Sequence, residues 1–241
     1  VWMLALVLGT LSTGTFGFVV YKKKREDKKR YKIDIDYSQM PKAGPRSAYV
    51  GNIAESKNKT YFDLDLFQVH TVIAGSSGSG KSIVAQDMVE EAHLKGVAVI
   101  VFDPNALWTG FLRRCEDKKL LGLYKDFGMK KTDAKAFNGN VRQITDDREM
   151  IEFKKFMKPG EINVFVINKL DTARIENFVS NMIKQAFHAN LPESKELKYL
   201  IVYDGIHSLM PKFGGSGQVF VQIERATREF RKWGVGLVLV S

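Results

Sequence analysis

Gly75-Ser76-Ser77-Gly78-Ser79-Gly80-Lys81-Ser82 is the stretch that decides the fold. It fits G-x-x-x-x-G-K-[ST], the pattern of a phosphate-binding loop, or P-loop. Glycines there allow positive φ and close approach of the backbone to phosphate. Consecutive N–H groups make an anion nest at a helix N-terminus. Lys81 adds a point charge for the β- and γ-phosphates, and the Ser82 hydroxyl is a ligand for Mg²⁺. The context agrees: the apolar run Thr71–Ala74 precedes the motif and a helix-like stretch, Ser82–Leu94, follows. The nucleotide-binding set is Gly75, Ser76, Ser77, Gly78, Ser79, Gly80, Lys81, Ser82 and Ile83.

Outward from the loop, apolar runs alternate with helix-like stretches. Strands are expected at Val97–Phe102, Ile162–Ile167, Leu200–Tyr203 and Val235–Val240, and helices at Glu176–Ala189 and Val219–Lys232. This pattern predicts an α/β domain whose mostly parallel sheet is covered on both faces. Ala48–Ile53 and Thr60–Leu66, with Ser56-Lys57-Asn58-Lys59 between them, read as a hairpin. Residues 105–160 mix charged pieces with Gly122, Gly128 and Gly139 and read as an insertion on the sheet. Asp204 ends one apolar strand and is expected to support the magnesium; Asp103, ending another before Pro104, is the fallback.

Upstream, Val1–Tyr21 contains no charged side chain. As a helix it would measure about 31 Å, close to the hydrocarbon thickness of a bilayer. Residues 22–32 hold eight basic and two acidic side chains, a net +6 of the chain's formal +10. That cluster predicts a transmembrane helix with its C-terminal side in the cytoplasm and contact with anionic lipid through residues 1–32. It also removes the overall basicity as an argument for nucleic-acid binding by the domain. The expected organisation is a membrane helix at 1–21, a basic segment and linker at 22–46, and an ATPase domain at 47–241, cut short at its C-terminal end. A single cysteine, Cys115, excludes an internal disulfide framework, and the four scattered histidines have no zinc-ligand spacing.

Three stretches together resemble the HerA/FtsK superfamily of P-loop motors: His70–Ala74 leading into the loop, Val101-Phe102-Asp103-Pro104, and the run from Arg228 through Arg231-Lys232-Trp233-Gly234 to Ser241. The resemblance covers about 190 residues, from the hairpin onward. It implies a RecA-like ATPase domain using ATP and Mg²⁺, self-assembly into a homo-hexamer, and movement of DNA or another macromolecule. It also implies that a Ser-Gln pair closes the last strand, with the Gln sensing the γ-phosphate; the chain stops at Ser241. Arg231, one of a series with Arg225 and Arg228, is the candidate arginine finger, the alternative being a solvated helix face.

Two departures bear on hydrolysis. The family's Glu after the Asp of the metal strand is Gly205 here, and Asn105-Ala106-Leu107 supplies no Glu after Asp-Pro. Loss of a general base costs about 10²–10⁴ in rate. The expectation is therefore a membrane-anchored motor ATPase with Lys81, Asp204 and Arg231 as catalytic residues. The alternative is a hydrolysis-poor ATP-binding subunit of a secretion, pilus or DNA-transfer machine. Asn168-Lys169-Leu170-Asp171 matches the N-K-x-D guanine motif and keeps a GTPase as a third reading, although Asp103 lacks the Gly of D-x-x-G.

Overall fold

In a computed structural model the described residues are 17–25, 35–54, 56, 58–209 and 217–241. Two compact units are formed: Val1–Met40 with Gly51–Thr60, and Pro41–Val50 with Tyr61–Ser241. In the first, residues 17–25 are helical, and Asp36 closes a turn by accepting from the Ser38 and Gln39 side chains. Most of the expected membrane helix and of the basic cluster lies outside the described residues. Among the described residues no helix is long and apolar enough to cross a membrane.

The larger unit is built on a six-stranded sheet. Its strands are β3 (Thr71–Ile73), β4 (Ala98–Asp103), β5 (Gly139–Gln143), β6 (Ile162–Val166), β7 (Ser194–Asp204) and β8 (Trp233–Val240), in the order β3-β8-β7-β4-β6-β5. Every neighbouring pair is parallel. Helices α1 (Lys81–Leu94), α3 (Thr172–His188) and α4 (Gln218–Glu229) connect strands, with a short α2 (Lys118–Leu123) inside the insertion. β1 (Ser47–Asn52) and β2 (Lys59–Asp63) form a separate two-stranded sheet.

Because successive side chains of a strand point to opposite faces, the central strands feed two cores. Val99 and Val101 of β4 and Leu200 and Val202 of β7 pack with Ala85, Val89 and Ala92 of α1. Ile100, Phe102, Ile201 and Tyr203 pack on the other side, with Phe178, Met182 and Ile183 of α3 and Ile223 and Ala226 of α4. Continuous burial of β4, β6 and most of β8 explains why they read as unbroken apolar runs.

The strand expected at Leu200–Tyr203 begins earlier, at Ser194, and three other departures from expectation have a local reason. The second hairpin strand ends at Asp63, whose carboxylate accepts the Asp65 N–H and starts a 3-10 turn over Leu64–Val69. α3 begins at Thr172, earlier than the apolar pattern suggests, because the Asp171 side chain caps it through the Arg174 N–H. The insertion also contributes a strand: β5 adds the outer edge beside β6. Four of its five residues are exposed, so it carries no apolar signature.

Candidate functional site

Parallel strands place their C-terminal ends on one side of the sheet, and the site is built there. The loop leaves β3 with Gly78 at φ 77° and Gly80 at φ 92°, both left-handed. No neighbouring atom lies within 4 Å of a Cβ added at either, so these glycines are required by backbone conformation rather than by crowding. At Gly75 an added Cβ would stand 2.7 Å from Ser79 Oγ, so a side chain there would require that hydroxyl to turn away. The Ser79 N–H donates to the Ser76 carbonyl across 3.1 Å, and Lys81 Nζ donates to the same carbonyl across 3.0 Å. The lysine charge is thereby held within the loop. α1 starts at Lys81 with no side-chain cap, so its first-turn N–H groups, including those of Ser82 and Ile83, face the loop. The Ile83 side chain itself is 68% exposed. An open cradle of N–H groups with a lysine inside fits a nucleotide phosphate chain.

Asp204 closes β7, and registry fixes its distance from the loop. Ile73 pairs with Val240, and Val240 with Asp204. Two strand spacings, about 10 Å, separate the Asp204 backbone from the P-loop strand. The same end is stitched by Ser241, whose N–H donates to the Ile73 carbonyl at 2.8 Å and whose carbonyl accepts from the Gly75 N–H at 3.3 Å. Ser82 and Asp204 fit a magnesium site of the P-loop type. Among the described residues no group of three or more His, Cys, Asp or Glu gathers for a metal. Such a site needs none, because phosphates and waters supply most ligands of Mg²⁺.

Asp103, the fallback carboxylate, is fully buried and committed elsewhere. Its carboxylate accepts the backbone N–H groups of Asn105 at 3.0 Å and Trp108 at 2.8 Å. Burial pushes its pKa up; the N–H donors of Trp108, Asn105 and Leu107 oppose this, and the Asp204 charge adds to it. The Trp108 indole N–H in turn donates to Asp204 Oδ2 across 2.9 Å. Gly205 sits at φ 78°, with Pro104 Cγ 3.4 Å from where its Cβ would be.

The acidic side chains on the helix ahead of the last strand are engaged in ion pairs. Glu229 accepts from Arg225 and Lys232, and Glu224 pairs with Arg228. Glu229 and the exposed Arg231 precede β8, whose eight residues place them about 23 Å from the P-loop end of the sheet. Arg231 therefore cannot reach a nucleotide on its own chain's loop. The guanine-type motif has local employment: Asn168 accepts from the Gln143 amide and Asp171 caps α3. It follows β6, four strand spacings or about 19 Å from β3.

Sequence reasoning missed Trp108. An isolated tryptophan after Asp-Pro carries no pattern; its partner lies 96 residues away.

A family model described as "Helicase HerA, central domain" matches residues 48–200. Comparison with curated proteins finds no match. Among solved structures the chain is similar to the pCW3 conjugation coupling protein TcpA in its monomer form with ATPγS, at 15% identity and a TM-score of 0.41. That match covers 87% of this chain and 52% of the coupling protein, so the chain spans about half that protein's length. It is also similar to VirB4 of Thermoanaerobacter pseudethanolicus, at 12% identity and a TM-score of 0.47, covering 83% of this chain and 77% of that one. With the family model spanning more than half of its residues, over the P-loop, β4, β6 and most of β7, the chain belongs to the HerA helicase central-domain family of P-loop ATPases.

Proposed function

We propose that the chain is the nucleotide-binding domain of a membrane-anchored motor that couples ATP to the movement of DNA or another macromolecule. The observation that supports the nucleotide part is the common row of Ile73, Val240 and Asp204, which brings a strand-end carboxylate within two strand spacings of an open phosphate cradle. Gly78, Gly80 and Lys81 hold the phosphates, and Ser82 and Asp204 hold Mg²⁺, which when bound neutralises phosphate charge. The membrane part rests on the uncharged run 1–21 and the basic cluster behind it. Self-assembly rests on the family resemblance, and an arginine-finger role for Arg231 would place the nucleotide it serves on a second copy, because β8 separates it from the loop of its own chain. DNA as cargo rests on family membership alone.

One observation favours a second reading, a slowly hydrolysing ATP-binding subunit. The strand-end position next to Asp204 is a glycine, while Asp103, Glu224 and Glu229 are all engaged. Calorimetry and turnover test both. ATP is expected to bind the unsubstituted chain with Mg²⁺ and to bind Lys81→Ala far more weakly; equal affinity would remove the P-loop assignment. Turnover at or above about 1 per second, with or without DNA, is motor-like and would remove the slow-hydrolysis reading.

A further inference from the structure

We propose that Trp108 is the positioning residue of the metal site, fixing the Asp204 carboxylate so that one oxygen stays directed at bound Mg²⁺. The inference rests on the nucleotide-binding reading above.

The two N–H groups of Trp108 reach the two strand-end carboxylates. Its backbone N–H donates to Asp103 Oδ2 at 2.8 Å, and its indole N–H donates to Asp204 Oδ2 at 2.9 Å. The indole is fully buried and lies nearly parallel to the Phe111 ring at 5.7 Å, so the donor has little freedom. Asp103 fixes the other end. Its carboxylate collects the N–H groups of the loop and forces the turn in which Ala106, a residue with a Cβ, sits at φ 58°. A left-handed alanine costs about 1–2 kcal/mol, and strain of this kind persists only where the surroundings over-determine it. Thr109 Oγ1 donates to the Ala106 carbonyl at 3.1 Å and closes the turn.

The consequence for Asp204 is chemical. A carboxylate at a strand end can rotate about its last torsion and present either oxygen. An indole N–H is a donor only and cannot serve as a metal ligand. With Oδ2 held by that donor, Oδ1 is the oxygen left to face the metal and its waters. A charge-assisted hydrogen bond of this kind orients its partner as a second-layer contact orients a metal ligand.

The test separates positioning from packing. Affinity for a slowly hydrolysed ATP analogue is measured by calorimetry on the unsubstituted chain and on Trp108→Phe, each in excess Mg²⁺ and in EDTA. Phenylalanine keeps an aromatic ring and removes the donor. The expected result is a drop of about tenfold in the Mg²⁺ arm, with the EDTA arm unchanged. A packing role alone would lower thermal stability and leave the ratio of the two arms intact, which would overturn the inference. Should Trp108→Phe not fold, the ¹⁵N-labelled unsubstituted protein decides. The Trp108 indole N–H signal is expected to shift when Mg²⁺ is added to the nucleotide-saturated protein, and an unmoved signal overturns the proposal. If the unsubstituted chain binds no nucleotide in either arm, the parent reading fails; a failure of this inference alone leaves EDTA binding in place.

Discussion

Asp103 and Asp204 stand side by side at the ends of adjacent strands, yet Asp103 is fully buried and Asp204 is partly exposed. The register pairs Phe102 with Tyr203, so the next residues, the two aspartates, close β4 and β7 side by side. Asp103 is sealed beneath its own loop and spends both oxygens on backbone N–H groups. Asp204 remains partly exposed and gives one oxygen to Trp108. Two carboxylates in equivalent registry thus divide into a structural cap and a candidate metal ligand, because the chain after β4 folds back over the first.

Gly205 follows with a conformation that side chains resist. At φ 78°, Gly205→Ala is expected to lower stability by about 1–2 kcal/mol. Gly205→Glu carries the same strain and adds a carboxylate. Comparing these two variants isolates the carboxylate from the strain: turnover of Gly205→Glu is expected to exceed that of Gly205→Ala by about 10². Equal turnover would show that the water-activating group lies elsewhere.

Ala106 offers the opposite experiment. Ala106→Gly relieves a left-handed alanine while adding chain entropy to the unfolded state. The net expectation is a gain of up to about 1 kcal/mol in denaturant unfolding, with nucleotide affinity unchanged. A loss of stability would show that the alanine methyl contributes packing that outweighs its strain.

His70 predicts a pH dependence. Its Nδ1 accepts the Leu237 N–H at 3.1 Å, so the proton resides on Nε2, which donates to the Thr227 carbonyl at 2.9 Å. The neutral ring thereby ties α4 to the sheet beside the P-loop strand. Burial lowers its pKa, partly offset by the Thr227 bond. The unfolded chain therefore takes up the proton first. The stabilisation is present above the unfolded value of about 6.5 and is lost as pH falls through the lower folded value. Unfolding free energy measured between pH 8 and pH 5 should decline at the acid end. His70→Gln should flatten that decline, and an unchanged slope would remove His70 as its source.

Arg231 is separated from the loop of its own chain by the length of β8. Arg231→Ala is therefore expected to leave ATP affinity of the isolated chain within about twofold, well under the 1.4 kcal/mol of a tenfold change. In an assembled oligomer, loss of an arginine finger lowers turnover by about 10³ or more. A large affinity loss in the isolated chain would contradict the sheet polarity described above.

What could be read along the chain was what neighbouring residues determine. The P-loop is a contiguous run whose glycines, lysine and serine act within a few residues of one another, and it was legible in full. The doubly covered strands were legible because burial on both faces leaves unbroken apolar runs. β5 was not, because an exposed edge strand is specified by its partner β6 rather than by its own side chains. The N-K-x-D match was equally ambiguous in one dimension. Its meaning was decided by strand order, which sends β6 to the far side of the sheet from β3 and turns Asp171 into a helix cap. The division of labour between Asp103 and Asp204, the αL backbone at Gly205 and the reach of Trp108 to a carboxylate 96 residues away belong to the same class. Contacts between distant segments leave no periodicity in the sequence, because they arise only when chain packing brings separate strand ends onto one edge.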